Sequence, residues 1–227
     1  TGLLSTTASS SAAAGGNYSV TQGTLAATGN YRITSFNAGI VTINQRPVTV
    51  SINAGQTKVY GNSDPSSFNL TIQEQGTDVG LLTGTTLNGG PARASGESVG
   101  NYLISSGTII SANPNYAITF TGGSFAITPR PITITANSNQ SKVYGDPDGV
   151  LSYSITTGTL ATFGGVSDVL NGALSRASGN QVGVNYAINQ GTLTSTQNTN
   201  YNISYVGADF VVTPRPISVT APSINKV

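Results

Sequence analysis

Three features of the sequence predict an all-β protein made of tandem small domains. Apolar and small polar residues alternate with period two in stretches such as Ile132-Thr133-Ile134-Thr135, the pattern of a strand with one buried face. Such stretches recur with Arg46, Arg130 and Arg215 at matching places, 84 and 85 residues apart. Turn pairs such as Asn88-Gly89 and Asn171-Gly172 punctuate each copy, and no sustained helical period intervenes. A unit of this length exceeds a solenoid repeat of about 20–50 residues and suffices for a small domain with its own core. The expected architecture is a series of small β-sandwich or grasp-like β domains joined end to end into an extended rod.

The seams are the most regular part of the sequence. One reads Ile127-Thr128-Pro129-Arg130-Pro131-Ile132, a second Val212-Thr213-Pro214-Arg215-Pro216-Ile217, and an earlier one Ile43-Asn44-Gln45-Arg46-Pro47-Val48. Proline has no N–H to give to a ladder and holds the preceding residue extended. Each seam is expected to be a strand, a stiff joint outside the ladder, and a second strand. The structural candidates there are Arg46, Pro47, Pro129, Arg130, Pro131, Pro214, Arg215 and Pro216, with the arginines fixing the angle between neighbours.

Residues 1–45 read as the C-terminal part of a repeat, 46–129 and 130–214 as complete repeats, and 215–227 as the first strand of a further one. The chain begins and ends inside a repeat and contains no Met, so it is expected to be a piece of a longer repetitive protein. In the second complete repeat the strand candidates are Ile132–Ala136, Val150–Thr156, a short one near Leu174–Arg176, Gly183–Ile188, Gly191–Thr194 and Tyr201–Thr213. The last is expected to break at Gly207-Ala208, and a single helical turn is allowed around Ser167–Leu170. In Asn-Tyr-x-Ile the Tyr and the aliphatic share a face, so Tyr186 with Ile188 and Tyr201 with Ile203 should point inward. Their hydroxyls should find backbone partners, and the competing reading makes the rings sugar-stacking platforms.

Composition excludes several functions. Charged residues are 7% of the chain, against about 25% in an average protein. With a net charge of +1 there is no basic field for nucleic acid or anionic lipid. No apolar run is long enough to span a membrane. Without Cys there is neither a disulfide framework nor a thiolate metal site. Without His a Ser or Thr nucleophile lacks its usual base, and Glu74 and Glu97 have no equivalents in the second complete repeat, which contains no Glu. No enzyme and no cofactor are expected.

Three smaller constellations remain. Asp146 and Asp148 in Asp146-Pro147-Asp148-Gly149 are a weak calcium candidate, set against an ordinary turn in which Asp caps N–H groups. Lys58, Lys142 and Lys226 recur at one place. They are read as lysines packing their stems over a strand end, with an isopeptide cross-link as the alternative and Asp64 and Asp146 as the nearby acids. Arg93 and Arg176 open Arg-Ala-Ser-Gly motifs, where bridging of backbone carbonyls or pairing at a seam is weighed against binding an acidic glycan.

The motif order then resembles a known group. Arg130–Ala136, Lys142–Pro147, Leu174–Gly179, Val182–Ile188, Gly191–Leu193, Asn200–Ile203 and Phe210–Pro214 together resemble MBG repeats of the Tyr-Gly-x type. Residues 46–129 show the same order, departing at Asn62-Ser63 and at Gly90-Pro91-Ala92, and residues 1–45 lack Arg-Ala-Ser-Gly. The resemblance implies repeats of large secreted or surface-exposed bacterial adhesins, including haemagglutinin-like and biofilm-matrix proteins. A stalk carrying an adhesive head is the expectation, with neighbouring repeats as partners. Repeated glycan- or mucin-binding modules and a self-associating scaffold are the alternatives. Extracellular polysaccharide or another copy of the adhesin would be the outside partner.

Overall fold

The computed structural model describes residues 1–226; Val227, the last residue of the segment 215–227, lies outside them. The described residues form strands and turns without a helix. They make two compact units. One comprises Thr1–Thr57, Pro65–Gly96 and Asn101–Ala126, and the other Lys58–Asp64, Glu97–Gly100 and the described residues from Ile127 onward.

In the first unit, β1 (Ser5–Thr6), β2 (Asn17–Thr21) and β3 (Gly39–Thr42) form an antiparallel sheet in that order. The following repeat begins with β4 (Arg46–Ile52) and β5 (Gln56–Val59) and continues through β6 (Leu70–Ile72), β7 (Ala92–Arg93), β8 (Gly100–Ser105), β9 (Tyr116–Thr121) and β10 (Gly123–Thr128). It has a three-stranded sheet ordered β6-β4-β9 and a four-stranded sheet ordered β5-β10-β8-β7. β4 is central, antiparallel to β6 and parallel to β9. Alternation in β4 sends Val48 and Val50 inward, where they are fully buried, and Phe125 meets Phe68 edge to face at 5.7 Å.

The second unit contains the same arrangement in β11 (Arg130–Ala136), β12 (Gln140–Val143), β13 (Tyr153–Thr157), β14 (Thr162–Phe163), β15 (Val166–Ser167), β16 (Ser175–Arg176), β17 (Asn185–Asn189), β18 (Tyr201–Val206) and β19 (Ala208–Thr213). Its sheets are β13-β11-β18 and β12-β19-β17-β16, with a small β14-β15 ribbon beside them. Both β11–β18 and β12–β19 pair in parallel. Ile132, Ile134 and Ala136 of β11, Tyr186 and Ile188 of β17, and Phe210 and Val212 of β19 are buried. The Tyr205 hydroxyl donates to the Ile188 carbonyl at 2.8 Å, tying one sheet to the other. The chain passes between sheets at Gly207, as the sequence predicts.

Several expectations require correction. Pro47 and Pro131 do not stand outside the ladder: Pro47 pairs in register with Ala117 and Pro131 with Asn202. Arg130 donates its N–H to the Asn200 carbonyl at 2.9 Å, so the next nitrogen faces the other edge of β11. On that edge β13 pairs only from Thr133 onward, and the missing N–H has no ladder to break. Gly191–Thr194 is a turn, with Gly191 at φ 61°. It carries the fully buried Leu193 inward through N–H bonds to Ala173 and Gln190 carbonyls. The strand expected at Val150–Thr156 runs Tyr153–Thr157 instead, and Ser167–Leu170 holds the end of β15 and no helical turn. β12, β14 and β15 were not anticipated, because Gln140–Val143 is mostly polar and the other two are only two residues long.

Two buried asparagines also lack a periodic signal. Asn113 and Asn198 each exchange a pair of hydrogen bonds with Asn88 and Asn171, bracing the Asn-Gly turns at 2.7–2.9 Å. Each thereby satisfies the turn's N–H and C=O with one amide.

Gly179 closes the Arg-Ala-Ser-Gly motif at φ 141°, and a Cβ there would lie 2.1 Å from Tyr186 Cε1. Gly179→Ala is expected to cost about 1–3 kcal/mol by combined backbone strain and overpacking, read from urea denaturation. An unchanged midpoint would mean that Tyr186 has room to move.

Candidate functional site

The residues the sequence marks most strongly meet at the Tyr-Gly-x turns. After β5, the Tyr60 N–H donates to the Thr128 carbonyl at 2.9 Å and the Asn62 N–H returns to Val59 at 3.0 Å. Gly61 lies at φ 80°, and a Cβ on it would stand 2.5 Å from Ala161 Cβ. Only glycine allows both the turn and this approach. The Tyr60 ring is buried, edge-on to Tyr201 at 5.5 Å and tilted against Phe163 at 5.4 Å. All of these residues belong to the second unit. The turn that ends the second strand of residues 46–129 is therefore packed among side chains of residues 130–214.

Asp168 organises the polar side of this contact. Its Oδ2 accepts hydroxyl donations from both Tyr60 and Tyr201 at 2.9 Å, and the Tyr201 oxygen accepts the Ala161 N–H at 2.9 Å. The Val99 N–H donates to Asn200 Oδ1 at 2.9 Å beside it. Burial pushes the Tyr201 hydroxyl up to about 12, and the Asp168 carboxylate adds to the shift by favouring the protonated phenol. Burial and Asp168 raise Tyr60 likewise.

Arg130 closes the turn from the seam. Its Nη1 donates to the Tyr60 carbonyl and to Asn62 Oδ1, each at 3.1 Å. Its Nε and Nη2 hold the Thr159 carbonyl and hydroxyl at 2.7 and 3.0 Å. One planar fork thus joins the Tyr-Gly-x turn to the strand that follows it. Arg215 repeats the first half of this arrangement: its Nε donates to the Tyr144 carbonyl at 2.9 Å and its Nη2 pairs with Asp146 Oδ1. Arg46 uses Nε and Nη2 on carbonyls of Gly76, Val79 and Gly80, the second half of the arrangement. Pro47, Pro129, Pro131, Pro214 and Pro216 are solvent-exposed and flank these arginines.

The two candidate calcium ligands face different cations. Asp146 pairs with Arg215, whereas Asp148 takes Lys142 at 2.7 Å and the fork of Arg176 at 2.8 and 2.9 Å. No cluster of three or more metal-ligating side chains occurs among the described residues. The acid that matches Asp64 is thus Asp148 rather than Asp146. Lys58 pairs with Asp64 at 2.7 Å and with Glu97, and its side chain is buried, not solvated. Burial opposes its charge, but its hydrogen bonds to the Asp64 and Glu97 carboxylates outweigh that and raise its pKa. A protonated lysine is a poor nucleophile, which disfavours the cross-link reading.

Arg176 and Arg93 organise their own loops. Arg176 Nη1 donates to the Ala177 and Gly179 carbonyls at 2.8 Å, and the guanidinium lies over Tyr186 and Phe210. Arg93 does the same with Ala94, Gly96, Tyr102 and Phe125. Tyr186 exchanges hydrogen bonds with the Gln181 backbone. Tyr60, Tyr186 and Tyr201 are buried, so their faces are closed to a sugar. Sequence reasoning missed Asp168, Ala161 and the acceptor at Asn62 or Asp146. The recurrence of Lys-Val-Tyr-Gly, at Lys58–Gly61 and Lys142–Gly145, was the available signal for the last.

Arg176 first and Lys142 second hold the Asp148 carboxyl down to about 2, below the ordinary Asp value of about 3.9. Its contribution is present above pH 4 and is lost as pH falls from about 4 to 2. Wild type should therefore lose stability through this window more steeply than Asp148→Asn in acid titrations followed by circular dichroism. Asp168→Asn replaces an acceptor facing two hydroxyls, and the expected loss is about 1.5–3 kcal/mol, measured by urea denaturation. A loss within 0.5 kcal/mol, about the noise of a surface substitution, would show that the tyrosines find equal partners in water.

The family described as MBG domain (YGX type) matches residues 48–126 and 132–211, more than two thirds of the chain. No curated protein and no solved structure matches it significantly. Domains of this family are non-enzymatic repeat modules and are typical of surface proteins. Among the described residues no helix is long and apolar enough to cross a membrane. The tandem matches, and the Tyr-Gly-x turns that the structure places against arginine, are two lines to one assignment: the chain belongs to the MBG domain (YGX type) family.

Proposed function

We propose that these repeats are structural spacers in the stalk of a long bacterial extracellular adhesin, carrying an adhesive head for cell–cell or surface attachment and biofilm formation. The observation behind this reading is the Arg130 fork, which holds Tyr60 and Asn62 at a seam. A clamp of this kind resists bending where a bare linker would yield. In this reading 46–129 and 130–214 are complete beads, 1–45 is the end of a preceding bead and 215–227 the start of another. The ion pairs Lys58–Asp64, Lys142–Asp148 and Arg176–Asp148 suit the role, since each holds loops of one repeat together. The location implied is the bacterial surface or a secreted matrix.

Small-angle scattering tests the reading. Wild type is expected to give a long particle with a narrow length distribution, and a compact particle would sink the spacer role. Arg130→Ala should broaden the distribution while the circular dichroism of the strands stays the same. If Arg130→Ala leaves it unchanged but Pro129→Gly with Pro131→Gly broadens it, the prolines and not the clamp stiffen the seam.

A further inference from the structure

Asn88-Gly89 and Asn171-Gly172 are the Asn-Gly pairs of this chain, and it has no other. Asparagine is chemically labile, and most so before glycine, whose nitrogen no neighbouring Cβ shields. Once hydroxide removes its proton, that nitrogen attacks the Asn Cγ. The N–Cγ bond forms, the Cγ–Nδ2 bond breaks, and the amide takes a proton from water and leaves as ammonia. Water then opens the cyclic imide, at Cγ to leave Asp or at the main-chain carbonyl to leave isoaspartate.

The fold requires these glycines. Gly172 lies at φ 110°, and a Cβ on it would stand 2.5 Å from the Thr192 carbonyl oxygen. Gly89 lies at φ 75°, with 2.7 Å to Thr108 Oγ1. The reacting groups are themselves untied. Asn88 and Asn171 are exposed, and neither their side-chain amides nor the N–H groups of Gly89 and Gly172 have a partner among the described residues.

What is held is the asparagine backbone. Asn198 is 7% exposed; its Oδ1 accepts the Asn171 N–H at 2.7 Å, and its Nδ2 donates to the Asn171 carbonyl at 2.9 Å and to the Thr194 carbonyl at 3.0 Å. Asn113, 6% exposed, holds the Asn88 N–H and carbonyl at 2.8 Å each and also donates to the Ile109 carbonyl. Closing the imide brings the glycine nitrogen over the Asn Cβ. That setting lies outside the backbone regions an L-residue ordinarily occupies. Reaching it turns the Asn carbonyl, and the carbonyl is what the clamp grips.

We propose that Asn113 and Asn198 guard the two Asn-Gly bonds against deamidation, and that Asn88 and Asn171 become modification sites whenever their clamp opens. The damage is then one-way. Isoaspartate places another main-chain carbon between the N–H and the C=O that one amide spans, so the modified turn cannot be clasped again.

Peptide mapping by mass spectrometry during incubation at mildly alkaline pH tests this, with isoaspartyl methyltransferase as the probe for isoaspartate. Folded wild type should deamidate at both pairs at least about tenfold more slowly than in urea, because reaction waits on local opening. Asn198→Ala should bring Asn171 close to its rate in urea and leave Asn88 slow, and Asn113→Ala should do the reverse. Circular dichroism checks that each variant is folded. Where an alanine variant unfolds, Asn198→Asp or Asn113→Asp replaces it, keeping the acceptor and losing only the donor to the carbonyl, and should speed the same single site. The proposal is overturned if folded wild type reacts as fast as in urea, if a folded variant leaves its own Asn-Gly at the wild-type rate, or if both pairs accelerate together in a folded variant.

Discussion

A glycine that has no space for a methyl group sets the position of everything around it. Gly61 approaches Ala161 so closely that the turn can lie only one way, and the ring of Tyr60 enters beside it. Once the ring is inside, its hydroxyl needs an acceptor, and Asp168 supplies one that Tyr201 shares. The carbonyl left behind on Tyr60 needs a donor, and Arg130 supplies that. The Tyr, the Gly and the polar residue after them therefore form one unit: a plug, a clearance and an acceptor. A buried polar group is costly unless paired, and this chain of pairings is how a sequence so poor in charge builds a specific contact.

Charge is spent sparingly and locally. The Lys142–Asp148–Arg176 group joins the end of β12 to the Arg-Ala-Ser-Gly loop, while the same guanidinium covers Tyr186 and Phe210 of the core. Lys58, Asp64 and Glu97 occupy the matching place one repeat earlier. The stem of each basic side chain packs on apolar surface while its head is satisfied by acceptors. Ser, Thr and Asn do the rest, as in the Asn113 and Asn198 braces.

Much of this was legible in the residues. Alternation in Arg-Pro-Ile-Thr-Ile-Thr-Ala located the central strand, and the inward pair Tyr186 and Ile188 followed from period two. The break at Gly207 followed from glycine itself. What escaped was of two kinds. β12 and Gly191–Thr194 were misread because burial there depends on which side chain a turn throws inward, and turns have no period. The joint escaped because Asp168 lies more than a hundred residues from Tyr60, and no local pattern links an isolated Asp to a distant hydroxyl. The prolines were misjudged for a third reason. Whether a missing N–H harms a ladder depends on which edge it faces, and only the pairing of β13 and β18 decides that.

The residue after Tyr-Gly differs between the two turns, Asn62 in one and Asp146 in the other. The arginine facing Asn62 has a neutral acceptor, whose strength is indifferent to ionic strength and to mild acid. The arginine facing Asp146 has an exposed carboxylate, an ion pair that salt screens. The residue at this position therefore sets whether its arginine contact is neutral or ionic. Raising salt should therefore weaken the Arg215–Asp146 pair and leave the Arg130–Asn62 contact as it is.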